Sequence, residues 1–426
     1  MAWRGAVPEG WEIKALKRTF KTLNGSTPKS RESDYWGGVI PWATPDDLGR
    51  LKDNTLRATQ RMITIEGYNS CGTSMAPSGS LVLSTRAPIG HLAIAGTDMC
   101  TNQGCRCLIF RADDDRHFFY YQLLAARLEL ESLGQGSTFK ELGRGNLEGV
   151  YLATPSISEQ RAIAAFLDRE TGRIDALIAK KERQIELLQE KRTALISHAV
   201  TKGLDPDAPM KDSGVEWLGA VPEHWVTWKI THGFQWLGSG TTPKSDDLHY
   251  YNGKIPWVTT SELRETVIAD TNSKLTEKAL KDYSSLHIYP PETLLFAMYG
   301  ATIGRMGILG IHATVNQACC AFSGSKSLDP KFTFYWLWMR RPVLITLSAG
   351  GGQPNLSQND LRNIQIPAPT LHKQRAITTF LDHETGHIDI LTTKVHESIS
   401  KLREYRTALI SAAVTGKIDV REELVS

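Results

Sequence analysis

The heptapeptide Gly5-Ala6-Val7-Pro8-Glu9-Gly10-Trp11 returns as Gly219-Ala220-Val221-Pro222-Glu223-His224-Trp225, an offset of 214 residues (225 − 11). Gly25-Ser26-Thr27-Pro28-Lys29 returns as Gly240-Thr241-Thr242-Pro243-Lys244, Ile40-Pro41-Trp42 as Ile255-Pro256-Trp257, and Asn102-Gln103 as Asn316-Gln317. The register drifts by one residue in two hundred, so the chain is one ancestral unit used twice, and any fold must repeat. The repeat is uneven. Residues 157–201 and 371–415 align without gaps and share 26 of 45 positions, whereas the stretches before them share little beyond short anchors. Two like spacers therefore alternate with two unlike globular parts, as if the globular parts had to differ while the spacers stayed the same.

The spacers read as helices. Ser156-Ile157-Ser158-Glu159 has the form of a capping box. Apolar residues follow at Ile174, Leu177, Ile178, Ile185, Leu188 and Leu195, broken once by Lys181, and in the second copy at Ile388, Leu391, Val395, Ile399, Leu402 and Leu409. Steps of three and four give one apolar stripe per helix, and two such stripes in one chain can bury each other as an antiparallel coiled coil. Thr171-Gly172 and Thr385-Gly386 are expected to kink each segment, and Lys202-Gly203 and Gly416-Lys417 to end it. Ile174 to Val200 is roughly 40 Å of helix at ~1.5 Å per residue, against ~34–36 Å for one turn of DNA between half-sites. The globular parts read as mixed α and β, with strands at Leu81–Ser84 and Leu294–Ala297 and aromatic-rich core helices over 118–133 and 332–347. The fold class is α+β, and Lys202 to Lys211 reads as a linker.

Composition narrows the function only negatively. With 41% hydrophobic and 22% charged residues the chain can build ordinary cores, and a net charge of +3 means that a basic surface has to be local. No 18-residue apolar run or signal peptide is seen, so a cytoplasmic protein without a membrane segment is expected. Cys71, Cys100, Cys105, Cys107, Cys319 and Cys320 form no C-x-x-C pair, which favours buried reduced thiols and no metal site.

The order G-x-T-P-K, I-P-W, a strand-turn ending in Ile-Gly, Asn-Gln, then a Gln-Arg-Ala-Ile helix closing on R-T-A-L-I-S, all of it doubled, resembles the specificity subunits of type I restriction-modification enzymes. The resemblance covers essentially the whole chain. The second copy departs at His372-Lys373, where the first has Ser158-Glu159. It implies target recognition domains at 1–155 and 219–369, helical spacers at 156–202 and 370–416, a linker at 203–218 and a tail at 417–426. It further implies that each recognition domain reads one half of a split, asymmetric site on double-stranded DNA. Two modification subunits that methylate adenine would dock on the spacers, and a restriction subunit would join through them. The chain itself would hold no cofactor and do no chemistry; S-adenosylmethionine, ATP and Mg²⁺ would sit on the partners.

Candidate DNA contacts follow from residue type. Thr27, Lys29, Thr242 and Lys244 lie in matching Gly-Pro loops that could offer a hydroxyl and an ammonium to phosphate, or serve turn geometry only. Arg86 and Tyr299 stand at matching turns and differ, as base readers of different half-sites would; an Arg can pair bidentately with guanine. Asn102, Gln103, Asn316 and Gln317 can read adenine, yet a pair common to both halves suits a structural or phosphate role better. Lys140 and Gln353 lie in polar Gly-rich loops before each spacer. Trp42 and Trp257 read as core. Gln160, Arg161, Gln374 and Arg375, repeated at the spacer starts, suit a shared partner surface or local capping. Several catalytic motifs almost appear. Gly238–Ser245 has Pro243 where a phosphate-binding loop has glycine, Tyr289-Pro290-Pro291-Glu292 lacks the leading Asn of adenine methyltransferases, and Pro45-Asp46 lacks its nuclease partners. Three other readings stay open: a specificity subunit of a methyltransferase–nuclease fusion, a coiled-coil scaffold with no DNA role, and an enzyme of unseen chemistry.

Overall fold

The computed structural model describes residues 7–51, 53–136, 140–215, 218–347 and 355–420. Its chain divides into two compact units. One runs to Glu182 and resumes at His396; the other is Arg183–Val395. The division follows contacts rather than chain order, because each unit takes part of both spacers.

Within the first unit a five-stranded sheet runs through Phe20–Asn24, Cys105–Phe110, Leu81–Ser84, Leu92–Ala95 and Thr55–Leu56. All its pairs are antiparallel except the last. The central strands are apolar on both faces, with Leu81 to Leu83 fully buried, because core residues lie on either side of the sheet. A three-stranded sheet places Trp36–Ala43 between Met62–Ile63 and Cys100–Thr101. Helix α1 (Arg116–Ala125) begins at Asp115, whose carboxylate accepts from the backbone N–H groups of His117 and Phe118. Its Phe118, Phe119 and Tyr121 pack into the core. The expected 118–133 helix is thus two helices, broken at Ala126 before Arg127–Ser132.

The second unit repeats this strand for strand. Its five-stranded sheet is Phe234–Ser239, Cys319–Ser325, Leu294–Ala297, Met306–Leu309 and Val267–Ile268, and its three-stranded sheet sets Tyr251–Val258 between Ser273–Leu275 and Thr314–Val315. Even the bulge recurs, between Trp36 and Ile40 in one copy and between Tyr251 and Ile255 in the other. One stretch departs from the sequence reading. Met210–Asp212, inside the expected linker region, pairs antiparallel with Ala220–Pro222. The core helix here, α3 (Pro330–Leu347), is continuous.

The spacers are α2 (Ile157–Lys202) and α4 (Leu371–Val414). The Ser156 hydroxyl accepts from the Glu159 N–H while Glu159 reaches back to Ser156, so the capping box forms. Neither helix breaks at its Thr-Gly pair. Thr171 and Thr385 bond back to the carbonyls of Leu167 and Leu381, and tertiary packing outweighs the ~1 kcal/mol that a helical glycine costs. The helix segments run antiparallel within each unit. In the first, Asp175 meets Arg406 at 2.9 Å and Glu182 meets Arg403 at 3.0 Å; in the second, Arg192 meets Asp389. Ile174, Ile178, Ile185, Ile388, Val395 and Ile399 are buried as expected, but Leu177 and Leu391 are exposed. The ends of the spacers do something the heptad pattern does not show. Ile410, Ala413 and Val414 enter the core of the first head, and Ile196, Ala199 and Val200 enter the core of the second. The repeated R-T-A-L-I-S segment is therefore a plug, inserted by each spacer into the head encoded by the other half of the chain.

Candidate nucleic-acid interface

In both heads the scattered anchors converge on one edge. The Gly-x-Thr-Pro-Lys loop lies against the Asn-Gln segment so closely that a Cβ on Gly25 would strike the Asn102 carbonyl, and one on Gly240 the Val315 carbonyl. This is the physical need for glycine in the motif. Across the contact Thr27 Oγ1 donates to Gln103 Oε1, and Thr242 Oγ1 donates to Gln317 Oε1. Asn102 Oδ1 accepts from the Gly104 N–H at 2.9 Å, and Asn316 Oδ1 from the Ala318 N–H at 3.2 Å. The Asn and Thr residues thus have local partners that shape the loops, while Gln103 and Gln317 remain exposed, as do Lys29 and Lys244.

The Arg86 N–H donates to the Gly104 carbonyl, which brings the strand-turn to the same edge, and its guanidinium pairs with Glu141 at 3.1 Å. Both side chains of that pair are about half exposed, 46% and 40%, so it is weak and exchangeable. Gln135 bridges to Glu141, beside exposed Lys140. In the second head the Met298 N–H donates to the Ala318 carbonyl, and half-buried Tyr299 bridges to Asn355. The turn and the pre-spacer loop therefore meet in both copies. Gln353 lies outside the described residues.

Sequence reasoning missed a stacked pair. The Arg61 guanidinium lies 3.4 Å over the Trp36 ring, which packs edge-on to Trp42 at 5.0 Å. Trp42 itself is core, its indole N–H donating to the Ser26 carbonyl at 2.9 Å. The second head has Tyr251 at the Trp36 position and Ser273 at the Arg61 position, with its own cation–aromatic pair, Lys278 over Tyr250 at 4.8 Å. No sequence spacing signals these pairs, because each joins residues from separate elements far apart in the chain. Beside Arg86, Arg106 bonds Asn24 and is half-buried; desolvation lowers its pKa, and the neighbouring Glu141 opposes this.

The spacer-start residues divide. Gln160 and Gln374 are buried, and their amides are engaged inside the chain. Gln160 accepts from the Asp115 N–H at 2.8 Å and donates to Asp114 and to the Pro155 carbonyl. Gln374 accepts from the Asp329 N–H at 2.7 Å and donates to the carbonyls of Ser327 and Pro369. They fasten each spacer to the capping loop of its own head and present nothing to a partner. Arg161 and Arg375 are exposed, with loose ion pairs of 3.7 and 3.6 Å to Asp113 and Asp329. The near-motifs are structural. Pro45 and Asp46 open a short helix capped by Thr44, with Asp46 paired to Arg50, and Tyr289 is buried with its N–H on the Ala313 carbonyl.

This doubled scaffold matches the model of the type I restriction modification DNA specificity domain twice, at residues 8–187 and 222–401. The chain belongs to the type I restriction-modification specificity family. Relatives align with it over most of its length. The MjaIX specificity subunit of Methanocaldococcus jannaschii is 28% identical across 98% of this chain and 96% of its own, and the EcoBI specificity subunit of Escherichia coli is 22% identical across 92% and 78%. The fold recurs in a chain from a structural study of complex assembly and conformational transition of the type I R-M system, with a TM-score of 0.76 at 15% identity over 97% of this chain and 100% of that one. The HsdS subunit of Thermoanaerobacter tengcongensis gives 0.58 at 16% identity over 98% and 100%. The expected architecture of two mixed α/β heads and long spacer helices is the architecture of this family. Among the described residues no helix is long and apolar enough to cross a membrane.

Proposed function

We propose that this chain is the DNA-reading, non-catalytic subunit of a type I complex, with one head for each half of a bipartite asymmetric site on double-stranded DNA. One observation carries the reading: the scaffold of the converging edge is identical in the two heads, while the side chains it displays are not. The Thr–Gln lock and the Asx turn recur, but Tyr299 stands at the position of Arg86, Tyr251 at that of Trp36 and Ser273 at that of Arg61. Like frames with unlike displays suit two readers of two different sequences, with Lys29, Lys140 and Lys244 supplying phosphate contacts. Gln103 and Gln317, common to both, act as frame and backbone contacts. The spacers, alike on their exposed faces at Leu177 and Leu391, dock two copies of one modification subunit, and a restriction subunit joins through them. On this reading S-adenosylmethionine, ATP and Mg²⁺ belong to those partners.

The test is half-site preference of the complex assembled with its modification subunit, measured by competition binding on DNA. Arg86→Ala is expected to relax discrimination in one half-site and Tyr299→Ala in the other, by about tenfold, in line with ~1–3 kcal/mol for a base contact. Both variants altering the same half-site, or neither altering sequence preference, would overturn the assignment.

A further inference from the structure

His383, Glu384 and His387 lie on one turn of α4, with their ligand atoms all within 4.8 Å of one another. The sequence there, His383-Glu384-Thr385-Gly386-His387, places two imidazoles at i and i+4, which a helix stacks on one face. The two rings are 4.2 Å apart between centroids. His383 Nδ1 lies 3.1 Å from Glu384 Oε1, so with the ring oriented by that carboxylate Nε2 is the nitrogen left to offer its lone pair to a metal. Both histidines are exposed and need no backbone movement to be reached.

We infer that this turn is a binding site for a divalent transition-metal ion, held by the imidazoles of His383 and His387 with Glu384 as the orienting carboxylate. Imidazole donors select Zn²⁺, Ni²⁺, Cu²⁺ and Co²⁺ over Mg²⁺ and Ca²⁺. The site belongs to this copy alone. The first spacer has Arg169, Glu170 and Arg173 at the matching positions, where two guanidiniums brace the carboxylate at 3.1 and 4.0 Å. The spacing is also that of zinc peptidases, but among the described residues no further His, Cys, Asp or Glu completes the set, and both histidines face outward. The inference is therefore a binding site and not a hydrolytic one.

The experiment is calorimetric titration of the tag-free full chain with Ni²⁺ and Zn²⁺. The wild type is expected to bind one equivalent. Replacing both histidines by the first spacer's residues (H383R with H387R) is expected to abolish that binding, and His387→Gln alone to weaken it at least tenfold. Glu384→Gln is expected to weaken it about tenfold, the usual effect of removing an orienting partner. Circular dichroism checks each variant's fold, which the matching arginines of the first copy lead us to expect intact. With Co²⁺ the visible spectrum should lack thiolate charge transfer. Undiminished affinity in the double variant, a thiolate band pointing to cysteine, or no saturable binding would overturn the site.

Discussion

Gln160 offers the sharpest test of how the spacers are joined to the heads. Gln160→Leu keeps the side-chain volume and removes three hydrogen bonds, to the Asp115 N–H, the Asp114 carboxylate and the Pro155 carbonyl. The residue is 1% exposed and the Pro155 carbonyl is buried with it, so water cannot replace that bond, while the half-buried Asp115 N–H and Asp114 carboxylate are compensated only in part. At about 1 kcal/mol net per bond, and more where a buried backbone group is left unpaired, the loss is ~2–4 kcal/mol. The damage spreads locally, because Asp115 also caps α1, whose Phe118 and Phe119 are fully buried. In urea, with a slope of about 2–3 kcal/mol per molar for a unit of this size, the midpoint of the first unit should fall by roughly 1 M. Tryptophan fluorescence and far-ultraviolet circular dichroism follow the transition, and Arg161→Ala, at the exposed neighbour, is the control. A shift under about 0.2 M for Gln160→Leu, or an equal shift for the control, would refute the account of Gln160 as a fastener.

Three further outcomes follow from particular contacts. His117 lies 3.0 Å from Asp168. Its pKa is raised, chiefly by that hydrogen bond, so its contribution is full below the unfolded value of ~6.5 and fades as pH rises through the higher folded value. Burial pushes Asp168 up, but the hydrogen bonds from His117 and Tyr121 overcome it and leave the pKa lowered, so that contribution fades only in strong acid. The melting temperature of His117→Asn should therefore fall further below wild type at pH 5.5 than at pH 8.5. Lys331→Asn, which breaks the matching Lys331–Asp382 pair at 2.7 Å, should show no such difference. Gly172 sits mid-helix with open space where a Cβ would stand, so Gly172→Ala should stabilise by up to ~1 kcal/mol in thermal unfolding. Five of the six cysteines are buried, and burial pushes Cys100 up to about 11 and Cys107 and Cys320 to about 12. Ellman's reagent should thus label Cys71 alone in the native chain and all six after denaturation.

Much of the architecture was legible in the sequence because it rests on periodicity and repetition. The 214-residue offset gave two equivalent heads, and the three-four steps gave two long helices. Capping at Ser156 was legible too, being a local bond between near neighbours. What stayed hidden depends on contacts far apart in the chain. Thr27 and Gln103, or Arg61 and Trp36, meet only because strand pairing brings distant stretches of chain together. The Ile196 and Ile410 plugs sit in a repeated helix end whose role stays hidden until the core each one enters is known. Gln160 and Gln374 show the limit plainly: repetition marked them as important, but burial assigns them to the head rather than to a partner. The kink expected at Thr171-Gly172 failed because local propensity is worth about 1 kcal/mol, less than the packing of a 46-residue helix.

The central claim is that two unlike heads on a repeated scaffold read two different half-sites. Its most direct test is to express the chain with its modification subunit in a host lacking other adenine methylation and to map methyladenine by single-molecule sequencing. The account predicts one motif in two parts, different in sequence and separated by a fixed gap. It also predicts that exchanging the second head for that of a relative changes one part only. A single contiguous motif, or a soluble complex that leaves no sequence-specific methylation, would contradict it.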